Sequence, residues 1–219
     1  SRYLAFIAGA ANAGGFIAVH QYTSHMSGIV SAMADNLALG NLTVVLTGLA
    51  ALVSFLVGAF CTSLTVRWAR RRKLYSEYAL PLILEAALLV TFGLIGREFQ
   101  GHTAVGTIML LCFTMGLQNA MITKISGAVI RTTHLTGMVT DIGIELGRLI
   151  LALHDEDSIE VPREGKKIRL LSSLIALFFV GGIIGALGFK HLGFLFTLPL
   201  SAILIILASP PVWDDMRQL

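Results

Sequence analysis

The chain has 219 residues, 55% of them hydrophobic and 13% charged, with a formal net charge of +3. Soluble domains carry about 25% charged residues, so a chain this apolar cannot hide its hydrophobic surface in one water-facing globule and takes the bilayer as its solvent. The small basic excess and few aromatics argue against a nucleic-acid partner, and Cys61 and Cys112, both inside apolar runs, read as buried hydrophobes, not a disulfide or metal site.

The first apolar run, 3–19, carries Asn12. It has no small-residue processing site in the usual place, so it reads as a retained helix, with the native start expected upstream of Ser1. Thr23-Ser24-His25-Met26-Ser27-Gly28 follows and opens a short helical stretch, 27–40, that contains Asp35. Runs at 43–66 and 79–96 come next, separated by Arg67, Arg70, Arg71, Arg72 and Lys73; Glu85 lies inside the second run. The run 104–123 carries Gln118 and Asn119, after which the motif returns as Thr132-Thr133-His134-Leu135-Thr136-Gly137. It opens a second weak helical stretch, 135–153, on which Asp141, Glu145 and Arg148 share one face. Lipid would not tolerate that face, so it is expected to meet protein, water or the membrane surface. A charged loop from His154 to Lys167 and apolar runs at 168–189 and 192–209 complete the pattern.

Six of these runs are long enough, or nearly so, to cross about 30 Å of hydrocarbon. Basic residues concentrate after the second run and between the fourth and fifth, whereas His20 to Asn41 contains no Lys or Arg. By the positive-inside rule both termini are then cytoplasmic. The duplication extends beyond the motif: Leu80-Pro81-Leu82 recurs as Leu198-Pro199-Leu200, and the segment from Phe55 to Ala59 has a looser echo from Phe179 to Gly182. The expected fold is an all-α membrane protein of two repeats, 1–98 and 99–219. Each repeat has three transmembrane helices and one half-spanning or re-entrant helix, giving six full spans and eight helices. Three crossings per half is an odd number, so the second repeat is inverted, the plan of many secondary transporters.

Ser and Thr in each motif suit a helix N-cap, and glycine lets another backbone come close. Two half-helix N-termini opposed at the midplane would offer free N–H groups and positive dipole ends to an anion or a polar acceptor. The plainer alternative is that the motifs only cap and pack two broken helices. His25 and His134 could line such a site or make structural hydrogen bonds; with no Cys or H-x-x-x-H nearby, no metal is expected. The candidate solute-binding residues are Asn12, Ser24, His25, Ser27, Gly28, Gln118, Asn119, Thr133, His134, Thr136 and Gly137. Candidates for ion or proton coupling are Glu85, Asp35, Asp141 and Glu145; Glu145 could instead pair with Arg148, and Glu85 could sit shallowly near the basic loop. There is no convincing catalytic Ser-His-Asp order and no phosphate loop, so neither an enzyme nor a cofactor is expected.

These motifs resemble the YoaK-type family of bacterial membrane proteins, a domain of unknown function. Its first-span pattern G-x-x-D-A-x-x-F is matched by Gly9-Ala10-Ala11-Asn12-Ala13-Gly14-Gly15-Phe16, and M-[ST]-G-N by Met26-Ser27-Gly28-Ile29. Its second-half pattern, G-L-Q-N-A and then T-T-x-x-T-G, is matched by Gly116-Leu117-Gln118-Asn119-Ala120 and the motif at 132–137. Asn12 replaces the usual acid and Ile29 the usual Asn, so any coupling through that acid would differ here. The resemblance implies a bacterial inner membrane and names no substrate. Extended segments leading into facing half-helices also look like the core of sulfate permeases and nucleobase transporters.

The function expected is a secondary transporter or facilitator of a small polar or anionic solute held between the two half-helix N-termini. The alternatives are a channel of the same architecture and a non-transporting membrane sensor or partner protein, for which the 154–167 loop would be the docking element. The expected partners are the lipid bilayer and the solute, with a homodimer open.

Overall fold

The computed structural model describes residues 2–74, 76–95, 104–125, 135–152 and 161–216. The elements among them are all helical: α1 (Arg2–Val19), α2 (Met26–Ala38), α3 (Leu42–Arg71), α4 (Ala79–Ile95), α5 (Ala104–Ile125), α6 (Leu135–Ala152), α7 (Val161–Leu192) and, after a 3-10 turn at Gly193–Phe196, α8 (Thr197–Met216). Four stretches are long and apolar enough to cross a membrane: Arg2–Val19, Leu42–Arg71, Val105–Ile125 and Gly165–Trp213, the last covering most of α7 and α8. α4 is apolar but shorter. Only 22% of the apolar window of α3 is buried against 67% of that of α5, so α5 is interior while α3 turns Leu56, Phe60 and Leu64 outward. Apolar side chains exposed along whole helices suit lipid and not water, which marks a multi-pass helical membrane protein.

Glycines set the helix contacts. α1 packs along α7, and α3 along α5. A Cβ added at Gly9 would run into the carbonyl oxygen of Phe178, and one at Gly181 into that of Phe6. In the other pair, a Cβ at Gly58 would meet the carbonyl oxygen of Phe113, and one at Gly116 that of Phe55. Each of the four helices thus carries a Phe-x-x-Gly unit whose glycine admits the partner's backbone, the small-residue packing that membrane helices use in place of a hydrophobic driving force. Thr62 reinforces the second pair by donating to the Leu117 carbonyl at 2.9 Å. The looser echo at 179–182 is out of register by one residue: Phe178, not Phe179, stands where Phe55 does.

The remaining elements follow the same pattern. α2 packs on α3 and α6 on α7, while α4 and α8 pack on each other. Pro81 and Pro199 are each the third residue of their helices, α4 and α8. There a missing N–H removes no intrahelical bond. α2 ends at Gly40, whose φ of +74° turns the chain while the Asn41 N–H reaches back to Asn36 O. α3 ends the same way on Lys73 (φ +57°), with the Leu74 N–H bonded to Ala69 O; the helix therefore runs through Arg67, Arg70 and Arg71, past the expected limit at 66.

The charged loop expected at 154–167 is shorter. α7 starts at Val161, so Lys166 and Lys167 lie on a helix; residues 153–160 lie outside the described residues. Proline at the second helical position, Pro162, needs no N–H acceptor, and this lets the helix begin inside a polar stretch.

Candidate functional site

The connection from α1 to α2 doubles back over α1. Gly15 leaves room for Thr23, whose Oγ1 would lie 3.2 Å from a Cβ added there, and Thr23 is buried. Phe16 and Tyr22 stack with ring centroids 4.7 Å apart. The turn brings the Ser24 hydroxyl to Asn12, where it donates to Oδ1 at 2.8 Å. This is not the capping role expected of Ser or Thr in the motif. The N-cap of α2 is His25, and its side chain makes no capping bond. The imidazole lies beside the first turn, with Nε2 3.1 Å from Ser27 Oγ, and Gly28 makes space for it: a Cβ there would lie 2.7 Å from Nδ1. The N-cap side chain therefore leaves the N–H groups of the first turn of α2 uncapped.

A cavity of about 400 Å³ lies against this turn, lined by Asn12 of α1, Tyr22, Ser24 and His25 of the connection, Leu135 and Thr136 of α6, and Phe178 of α7. Parts of both copies of the doubled motif therefore reach one cavity. Its described lining holds an amide, three hydroxyls and an imidazole against two apolar side chains, with no Lys, Arg, Asp or Glu. Such a surface can hydrogen-bond a small polar solute as donor and acceptor and pack its flat or apolar parts on the rings.

The other expected site residues divide into groups. Ser27 and Gly28 lie on the first turn of α2 and Gly137 on that of α6, next to the cavity-lining residues in sequence. Thr133 and His134 lie outside the described residues. Gln118 and Asn119 are buried away from the described lining: Asn119 Nδ2 donates to the Met115 carbonyl at 2.9 Å, and Gln118 Nε2 to Glu85 Oε1 at 2.7 Å. Glu85 is fully buried within the protein. Asp35 is exposed on α2 and Asp141 is half-buried on α6, both away from the described lining. Glu145 is buried between two cations, with Lys167 Nζ at 2.5 Å and Arg148 Nη1 at 3.4 Å. That is the structural pairing foreseen for it, with Lys167 as the closer partner. Tyr22, Leu135 and Phe178 are lining residues that sequence reasoning missed; the Phe-x-x-Gly unit repeated on four helices is the signal that marks Phe178.

Among the described residues no group of His, Cys, Asp and Glu is arranged to hold a metal ion. No curated protein and no solved structure matches the chain. A family model described as "Protein of unknown function (DUF1275)" matches residues 1–209, in agreement with the YoaK-type resemblance of the two motifs, and the chain belongs to that family.

Proposed function

We propose that the protein is a secondary transporter or facilitator of a small polar or anionic solute, bound in the cavity between α1, the α1–α2 turn, α6 and α7. The observation that carries this reading is the meeting of the two motif copies, through Ser24 and His25 on one side and Thr136 on the other, on one cavity of about 400 Å³. An anion would find the uncapped start of α2 and His25; a neutral polar solute would find Asn12 and the hydroxyls. In this reading the halves are inverted repeats with six spans, and α2 and α6 re-enter. The matched glycine contacts at Gly9 and Gly116, and at Gly58 and Gly181, support the duplication. The 13 residues of α2 reach only about 20 Å, short of a crossing. The Ser76 backbone N–H donates to Asp215 at 2.9 Å, which ties the α3–α4 loop to the end of α8 and supports a common cytoplasmic side for the basic loop and the C-terminus. The bacterial inner membrane is the setting that the family resemblance implies.

The test is binding of a panel of small polar and anionic solutes to the purified protein, followed by Thr136→Val. A solute that binds wild type and loses about tenfold or more in affinity to Thr136→Val supports the site; unchanged affinity for every bound solute overturns it.

A further inference from the structure

Glu85 on α4 and Gln118 on α5 have no exposed surface, and Gln118 Nε2 donates to Glu85 Oε1 at 2.7 Å. The other oxygen of each, Glu85 Oε2 and Gln118 Oε1, is buried without a hydrogen-bond partner. Two orphaned acceptors on one bonded pair mean that the pair is short of a hydrogen. α4 packs against α8, α5, α3 and the 3-10 turn. The ionisable residues with described side chains on those elements are Cys61, Arg67, Arg70 and Arg71 of α3, Cys112 and Lys124 of α5, and Asp215 of α8; the turn has none. None of them bonds to Glu85; Arg70 is taken by Glu77 and Asp215 by Ser76. The surroundings are the apolar cluster that includes Leu82, Ala86, Leu89, Met115 and Met121. An ionised carboxylate enclosed this way, with no cation beside it, is strongly disfavoured, and each orphaned acceptor adds to the cost. A proton on Oε2 removes the charge and makes that oxygen a donor for Gln118 Oε1.

We propose that Glu85 is a proton-binding site, held as the neutral acid in a two-hydrogen-bond pair with Gln118. Loss of that proton to water breaks the α4–α5 contact and couples proton movement to solute movement. The coupling rests on the transporter reading above, whereas the protonation does not. α5 also touches α1, the helix that brings Asn12 to the cavity, so a shift of α5 has a short path to the solute.

Infrared difference spectroscopy of the full chain in lipid nanodiscs tests the proton site. At neutral pH the wild type is expected to show a protonated-carboxyl C=O stretch that moves in D2O, disappears as pH is raised and is missing from Glu85→Gln. Gln118→Leu is expected to shift the band and not abolish it, which covers the case in which Glu85→Gln fails to fold. Absence of the band from folded wild type, or a band untouched by both variants, overturns the proton site. For the coupling, the wild-type affinity for a panel solute is expected to depend on pH more steeply than that of Glu85→Gln; equal slopes overturn it. A Glu85 band as expected, with no panel solute bound, sinks the transporter reading and the coupling and leaves the proton site standing.

Discussion

Asn12 and Asn119 occupy the same place on α1 and α5, each three residues beyond a glycine, Gly9 or Gly116, that admits a partner helix's backbone. Their surroundings differ. Asn12 accepts from Ser24 and lines a cavity, whereas Asn119 donates to its own helix at Met115 and is buried away from the described lining. In the second half the neighbouring amide, Gln118, is sealed against Glu85. The two helices share a packing frame, and the polar residues beside it have different described partners. Backbone contacts that only glycine permits hold the frame, and once it is held the polar residues beside it can take separate roles.

The comparison can be broken most severely at the glycines. Gly9→Val and Gly116→Val are each expected to destabilise the fold by about 3 kcal/mol or more, because branched side chains would collide with the Phe178 and Phe55 carbonyls. Monodispersity of the purified protein reads this, and tolerance of one variant alone would end the equivalence of the two contacts. The asparagines sharpen the difference next. For a solute that binds the cavity, Asn12→Ala is expected to weaken affinity about tenfold and Asn119→Ala by less than about twofold, as titration calorimetry would show; the reverse order would place the solute elsewhere.

Ser24→Ala removes the link from the turn to α1 and is expected to lower stability by about 1 kcal/mol in thermal unfolding. The smallest effect belongs to the α3–α4 loop. A hydrogen bond from Arg70 holds the Glu77 carboxyl below its ordinary value of 4.5. Its contribution is therefore present above that value and is lost as pH falls through the lowered one. The small advantage of wild type over Glu77→Gln in melting temperature should vanish on acidification, and an advantage that persists would show that the pair acts by packing alone.

Much of the helix order was legible in the sequence because hydrophobic runs are a local signal. The limits of α1, α4 and α5 fall within about two residues of the apolar runs, and α2 and α6 begin where the motifs direct the chain. The errors came where charge was read as an end of structure: α3 continues through its arginines and α7 starts before its lysines. A basic side chain can extend from a helix into the membrane surface, so it marks the interface more than the helix end. At the site, the doubled motif led to the cavity, whereas Gln118 and Asn119 are not among its described lining residues. Spacing along a chain is legible in sequence, whereas the direction in which a side chain points depends on the rotation of its helix.

The sequence by itself determined that this is a helical chain of a multi-pass membrane protein, since composition and apolar run length depend on no partner. Only the tertiary structure decided which polar residues share surroundings: Ser24 with Asn12 beside a cavity, Glu85 with Gln118 in a sealed interior, Glu145 with Lys167. Those pairings depend on how each helix is rotated about its axis, and here contacts between distant glycines and backbone carbonyls set that rotation.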